Sequence, residues 1–325
     1  MGRSRDSNVV VKVFNGYGHQ HNLVVYGQVK KGPRKNERTY TRFSVLRNIF
    51  SILKLYFIRP VPQVQVRLLW DDQSIHATTD SDGFFKMEWT SRESTPAGWI
   101  PVRIYLSGND QVFGDGKVFV PHITQYGFIS DIDDTVLVSH SAHTGKKLTT
   151  LLTTDPLKRK TFSDVVHFYQ LLSLSHTRSD VPNPFFYVSN SEWNLYDYLT
   201  DFFTQNKLPE GIFMLSDFKR WTQIFRIGSA RHRGKGDRMR RVLEVYPNQR
   251  FILLGDNSQR DPQIYTEIAN EHPERIAGIY IRVVRNRKRE SAISTLAQIQ
   301  NKNIPIGMFD HTSEAIDHAK GLGIV

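Results

Sequence analysis

The sequence predicts an α/β protein in which a parallel sheet with helices on both faces follows a smaller, β-sandwich-like domain. Three observations carry that expectation. Residues 1–123 alternate apolar and polar side chains in short runs, the period of half-buried strands. Residues 124–325 instead show short, nearly continuous apolar runs separated by helical periodicity, which is how buried parallel strands and their crossover helices read. A length of 325 residues suffices for two domains of ordinary size, and 39% hydrophobic content supplies a core to each.

In the first domain, Val64, Val66 and Leu68, then Phe85, Met87 and Trp89, then Val102, Ile104 and Leu106 are spaced two apart, so each set lines one face of a strand. Residues 79–83, Thr-Asp-Ser-Asp-Gly, form a turn signal just ahead of the second set. An antiparallel sandwich is the expected arrangement. Residues 43–58 break the pattern. At 100° per residue, Val45, Leu46, Ile49, Phe50, Ile52, Leu53, Tyr56 and Phe57 occupy one face, with Ser44, Arg47, Asn48, Ser51 and Lys54 opposite. A basic amphipathic helix of this kind either lies in a membrane interface, here through Ile49, Phe50, Leu53 and Phe57, or packs on the protein's own sheet. Arg47 and Lys54 interrupt it, and it falls short of the roughly 20 residues of a spanning helix, so no transmembrane segment is expected.

Charge is unevenly placed. Residues 1–60 carry twelve Lys or Arg against only Asp6 and Glu37, nearly all of the net charge of +11. That asymmetry points to an anionic partner, a lipid surface or a nucleic acid, or else to a merely solvated basic face. With no cysteine, disulfides and thiolate metal sites are excluded. Residues 1–18 lack an apolar core of signal-peptide length, and Asp6 stands where a myristoylation signal wants Ser or Thr. Cytoplasmic residence, with peripheral attachment to a membrane, is therefore the expected localisation.

In the second domain the expected strands are 127–130, 185–188, 251–254, 278–284 and 305–309. Helices are expected at 161–172, 191–203, 235–245, 261–269 and 313–322. Ligands of such folds bind beyond the carboxyl ends of the strands, so the chemistry is sought there. The first strand runs into Asp131-Ile132-Asp133-Asp134-Thr135. Asp131 and Asp133, two apart on extended chain, share a face, and three carboxylates within four residues are costly to crowd without a cation. The second strand delivers Ser189, and the third delivers Asp256 with Asp261 five residues on. Lys235 opens a helix between them. Singly, Ser189 reads as a helix cap, Lys235 as a solvated charge and Asp256 as a turn residue; together, at successive strand ends, they read as a site.

These segments resemble the four motifs of the haloacid-dehalogenase superfamily, from about residue 125 to the last residue. Closer still, Ser130-Asp-Ile-Asp-Asp-Thr135, Tyr187-Val-Ser-Asn-Ser191, the run from Gly255 to Tyr265 and Tyr280-Ile-Arg282 resemble the actin-patch-type phosphatidate phosphatases. Glu192 stands where that family commonly has Pro, and Asp256-Asn257-Ser258-Gln259 replaces its usual Asp-Ser-Gly-Gln. The resemblance implies a Rossmann-like, haloacid-dehalogenase-type sheet and a phosphomonoesterase. Asp131 would be the nucleophile, and Asp133 the general acid and then base. Mg2+ would be held by Asp131, the Asp133 backbone carbonyl, Asp256 and Asp261, while Ser189 and Lys235 would hold phosphoryl oxygens. Thr135 would shape the loop.

The intervals 135–185 and 189–235 must each hold a helix, leaving little for a large cap over the site. An open site suits a phosphate carried on something big, and the basic amphipathic segment favours phosphatidate in a membrane. Two alternatives stand beside it: a phosphatase of nucleic-acid ends, for which no stacking or groove-reading motif is visible, and a non-catalytic lipid-binding scaffold. A second basic run, 219–241, holds Arg226, Arg231, Arg233, Arg238, Arg240 and Arg241 around Lys235. It reads either as an attractor of anionic surface or as a flexible basic loop.

Overall fold

The computed structural model describes residues 9–32, 59–132, 135, 163–216 and 230–325. The chain divides into two compact units between His122 and Ile123.

The first unit is built from β1 (Val9–Val13), β2 (Gly16–His19), β3 (Asn22–Lys31), β4 (Arg59–Pro60), β5 (Gln65–Trp70), β6 (Gln73–Thr78), β7 (Phe84–Trp89), β8 (Gly98–Leu106) and β9 (Asn109–Val120). Apart from Val64, which precedes β5, the three sets of alternating residues fall on β5, β7 and β8. Val66, Leu68, Phe85, Met87, Trp89, Val102 and Ile104 join Val11, Val13, Leu23, Val25 and Val118 in one buried cluster, against which Val64 and Leu106 pack half-buried. The predicted turn forms: Asp80 Oδ1 accepts from Asp82 N at 2.8 Å and Phe84 N at 2.9 Å, and Gly83 takes φ +74°. The strands differ from two separate sheets, because hydrogen bonding runs continuously through all nine. The cause is β3, which at ten residues pairs with β2 and β1 along one edge and with β7 and β4 along the other. β2 then passes the ladder on to β9 in parallel. Among the described residues, one continuous sheet thus carries the buried cluster. The segment 43–58, with Ile49, Phe50, Leu53 and Phe57, lies outside the described residues.

Among the described residues, the second unit holds six parallel strands, β10 (Tyr126–Asp131), β11 (Phe185–Glu192), β12 (Ile212–Ser216), β13 (Arg250–Asp256), β14 (Ile276–Arg282) and β15 (Ile306–Phe309). Their order is β12-β11-β10-β13-β14-β15. The helices are α1 (Ser163–Leu174), α2 (Tyr196–Gln205), α3 (Ala230–Val245), α4 (Asp261–Glu271), α5 (Arg289–Leu296) and α6 (Thr312–Gly321). Alternation along β11 assigns them to opposite faces. Phe185 stacks on Tyr169 of α1 and Tyr187 meets Phe203 of α2, whereas Phe186 between them meets Tyr246 just beyond α3. The chain winds outward from β10 to β12 and returns to β13 on the other side of β10. The switch of direction, and with it the expected crevice, falls at the ends of β10 and β13. Among the described residues no helix is long and apolar enough to cross a membrane.

Candidate active site

Asp131 closes β10 and Asp256 closes β13, the two strands at the switch point. Asp261 begins α4, and Lys235 lies on α3. All four are 2% exposed or less. Lys235 Nζ donates to Asp131 Oδ1 at 2.7 Å and to Asp261 Oδ1 at 2.5 Å, so one ammonium joins a strand end to a helix start. Carboxylate oxygens of Asp131, Asp256 and Asp261 lie within 4.8 Å of one another. Burial opposes the charge on Lys235, but the Asp131 and Asp261 carboxylates outweigh it and hold the ammonium above the ordinary lysine value. Burial, and then the charge of Asp261, push the Asp256 carboxyl up to about 7 against the hydrogen bonds it accepts from Ser258.

The close approach of α4 depends on Gly255. A Cβ there would stand 2.7 Å from both Asp261 Oδ2 and the Tyr265 hydroxyl, too near for any side chain. With glycine in place, Asp261 Oδ2 accepts from Asp256 N at 3.2 Å, and the Tyr265 hydroxyl donates to Leu254 O at 2.8 Å. Thr135, expected to shape the loop, donates to Asp256 Oδ2 at 3.3 Å. Asn257 braces the neighbouring strand exit, accepting from Val284 N and Arg285 N at 2.8 and 2.9 Å and donating to Arg285 O.

Ser189 lies on β11, one residue past the register partner of Asp131, fully buried, where its Oγ accepts from Ser191 N at 3.0 Å and donates to Ser191 Oγ at 2.9 Å. The structure therefore gathers Asp131, Asp256, Asp261 and Lys235 at one edge of the sheet, with Ser189 on the adjacent strand. Asp133 lies outside the described residues.

Three features were not singled out from sequence. Arg282, named only as part of a motif, closes β14 as the register partner of Asp256 and is buried. It lines a small pocket together with Thr135, Phe168, Tyr169, Tyr280 and Thr312. Tyr169 and Ser130 share a hydrogen bond of 2.7 Å behind Asp131, and burial raises the Tyr169 hydroxyl well above its ordinary pKa. The third is the order within the second basic run. From Ala230 it is helix, and three of its arginines are engaged: Arg240 with Glu271 at 2.6 Å, Arg241 with Glu244 at 3.6 Å, and Arg238 with Ser189 O at 3.0 Å. The spacing of Arg238, three after Lys235 on a helix, was the available signal for the last. Arg226 and the rest of 217–229 lie outside the described residues.

Residues 126–283 match the family model described as phosphatidate phosphatase APP1, catalytic domain. An uncharacterized protein of Schizosaccharomyces pombe is 32% identical over 219 residues, which cover 66% of this chain and 32% of that protein. Phosphatidate phosphatase APP1 of Saccharomyces cerevisiae is 27% identical over 229 residues, covering 68% of this chain and 36% of its own length. The chain thus spans about a third of the length of the curated relatives it matches.

Proposed function

We propose that this chain, whose residues 126–283 match the catalytic domain of the APP1-type phosphatidate phosphatases, hydrolyses phosphatidate to diacylglycerol and inorganic phosphate. The observation that carries the reading is the buried meeting of Asp131, Asp256 and Asp261 around Lys235 at the switch point of a parallel sheet. A haloacid-dehalogenase-type mechanism suits it. An Asp131 oxygen attacks phosphorus, the bond from phosphorus to the glycerol oxygen breaks, and Asp133 gives its proton to the departing alkoxide. Water then attacks the aspartyl phosphate, Asp133 takes its proton, and the bond to Asp131 breaks, regenerating the Asp131 carboxylate and the protonated Asp133. Lys235, by fixing one oxygen of Asp131, sets the rotation of the nucleophile. With Ser189 it supplies donors where charge gathers on the phosphoryl oxygens.

The donor set also suits Mg2+. Three hard carboxylate oxygens stand close together with a single lysine to balance them, and such clusters take oxygen-loving cations. Asp131, Asp256, Asp261 and the Asp133 carbonyl would hold the ion, which when bound neutralises charge on the transferring phosphoryl group.

Turnover on phosphatidate vesicles against 5′-phosphorylated oligonucleotides, each with Mg2+ or with EDTA, tests the whole reading. Phosphate release from the vesicles alone, silenced by EDTA and restored by Mg2+, is the expected result. Release from oligonucleotides alone would transfer the activity to nucleic-acid ends. Vesicle binding with no release from either substrate would leave a scaffold.

A further inference from the structure

We propose that Arg238 is a positioning residue that holds the phosphate-binding hydroxyl of Ser189 in place by completing the backbone of an interrupted strand. The proposal rests on the reading that Ser189 holds a phosphoryl oxygen. β11 pairs with β10 only as far as Val188, and its pairing with β12 shifts register between Val188 and Glu192. Four steps along β11 there match two along β12, so the Ser189–Asn190–Ser191 stretch bulges out of the ladder. A bulge re-aims side chains, but its buried carbonyls need donors from elsewhere.

Donors on β12 and α3 supply them. Ser216, at the end of β12, donates to Asn190 O at 2.7 Å and lies 3.1 Å from Ser191 O. Arg238 Nη2 donates to Ser189 O at 3.0 Å and lies 3.5 Å from Asn190 Oδ1. The strongest of these donors is thus a charged guanidinium, and it acts on the residue that carries the hydroxyl. Its origin gives it a second consequence. Arg238 is one helical turn beyond Lys235, so a single helix presents the ammonium bound to Asp131 and the guanidinium bound to the Ser189 backbone. The two groups assigned to the phosphoryl oxygens, Ser189 on β11 and Lys235 on α3, are thus fixed by one rigid element. Arg240, two residues on, faces away to Glu271 and has no part in the bulge.

The test uses the full chain with Mg2+ and reads three quantities: equilibrium binding of inorganic phosphate, KM and kcat on phosphatidate vesicles, and thermal stability. Arg238→Gln should weaken phosphate binding and raise KM by about tenfold each, the scale of one charge-assisted hydrogen bond, while kcat falls less. Arg238→Lys, which keeps one donor, should recover part of the loss. In a double-mutant cycle, Ser189→Ala with Arg238→Gln should bind phosphate no more weakly than Ser189→Ala alone, because Arg238 acts through Ser189. Arg240→Gln should leave phosphate binding unchanged. Additive losses in the cycle, unchanged phosphate binding in Arg238→Gln, or equal losses in Arg240→Gln would overturn the proposal. A parent protein that neither binds phosphate nor releases it from vesicles would overturn the phosphatase reading itself, and with it the role of Ser189.

Discussion

At the scale of single residues, the site is a problem of buried charge. Lys235 is an ammonium bonded to two buried carboxylates, and removing one partner of such a group strands the others. Lys235→Met keeps most of the apolar stem but leaves Asp131 and Asp261 uncompensated, a loss on the order of 3–5 kcal/mol. For a unit of this size that is a fall in Tm of roughly 10 °C, readable by calorimetry, together with loss of turnover. Mg2+ should raise the Tm of this variant more than that of the parent, since a cation among the same carboxylates replaces part of the missing charge. Asp131→Asn is the contrasting case: a near-isostere at the strand end, it should abolish phosphate release with little change in Tm. A Lys235→Met protein with parental stability would show that the ammonium is not the balance the geometry makes it. The residue types of this site were legible in the sequence because their chemistry is rare at strand ends. Their pairings were not, because Lys235 and Asp261 are brought together only by the packing of two helices that Gly255 permits.

At the scale of elements, legibility followed periodicity. β10, β11, β13 and β15 announced themselves as apolar runs, and β5, β7 and β8 as strict alternation. α5, Arg-Glu-Ser-Ala-Ile-Ser-Thr-Leu, was missed because only Ala292 and Leu296 of it are buried, too few to write a helical stripe. The continuity of the first unit's sheet was equally hidden, since alternation says which face a residue takes and nothing about which strand it pairs with. Turns, by contrast, leave local signatures, and one of them sets a pH dependence. Asp71, in the turn between β5 and β6, accepts from the Ser91 hydroxyl and from the backbone of Arg92 at 3.0 Å and Glu93 at 3.2 Å. The Ser91 bond leads in holding its carboxyl below the ordinary aspartate value, against the small opposing effect of burial. A depressed folded-state pKa contributes stability above the unfolded value of about 3.9, and that contribution is lost as pH falls through the folded value. Asp71→Asn should therefore lower the stability of the first unit by about 1 kcal/mol at pH 7. It should also flatten the decline of Tm between about pH 5 and pH 3. An unchanged acid limb in Asp71→Asn would show that the turn's hydrogen bonds survive protonation.

At the scale of the whole molecule, the proposed function raises the question of how a buried cluster would meet a substrate held in a bilayer. The sequence offers one means, the basic amphipathic segment 43–58, set within the first 60 residues that hold nearly all of the net positive charge. If that face meets lipid, attachment and catalysis reside in different parts of the chain and should separate by mutation. Replacing Ile49, Phe50 and Leu53 with polar residues removes apolar side chains worth roughly 1.5–3 kcal/mol each when fully buried, so vesicle binding should fall by several orders of magnitude. Turnover of a short-chain, soluble phosphatidate should persist, because Asp131, Lys235, Asp256 and Asp261 are untouched. Charge adds a second signature. Exposed attractions are screened beyond about 10 Å at 0.1 M ionic strength, so parental binding to acidic vesicles should weaken as salt rises. Sedimentation with vesicles of phosphatidate and neutral lipid, read beside the thermal transition of the first unit, separates the outcomes. Loss of that transition in the triple variant would make the segment part of the protein's own core. A folded variant that binds as tightly as the parent would move the lipid contact away from residues 43–58 altogether.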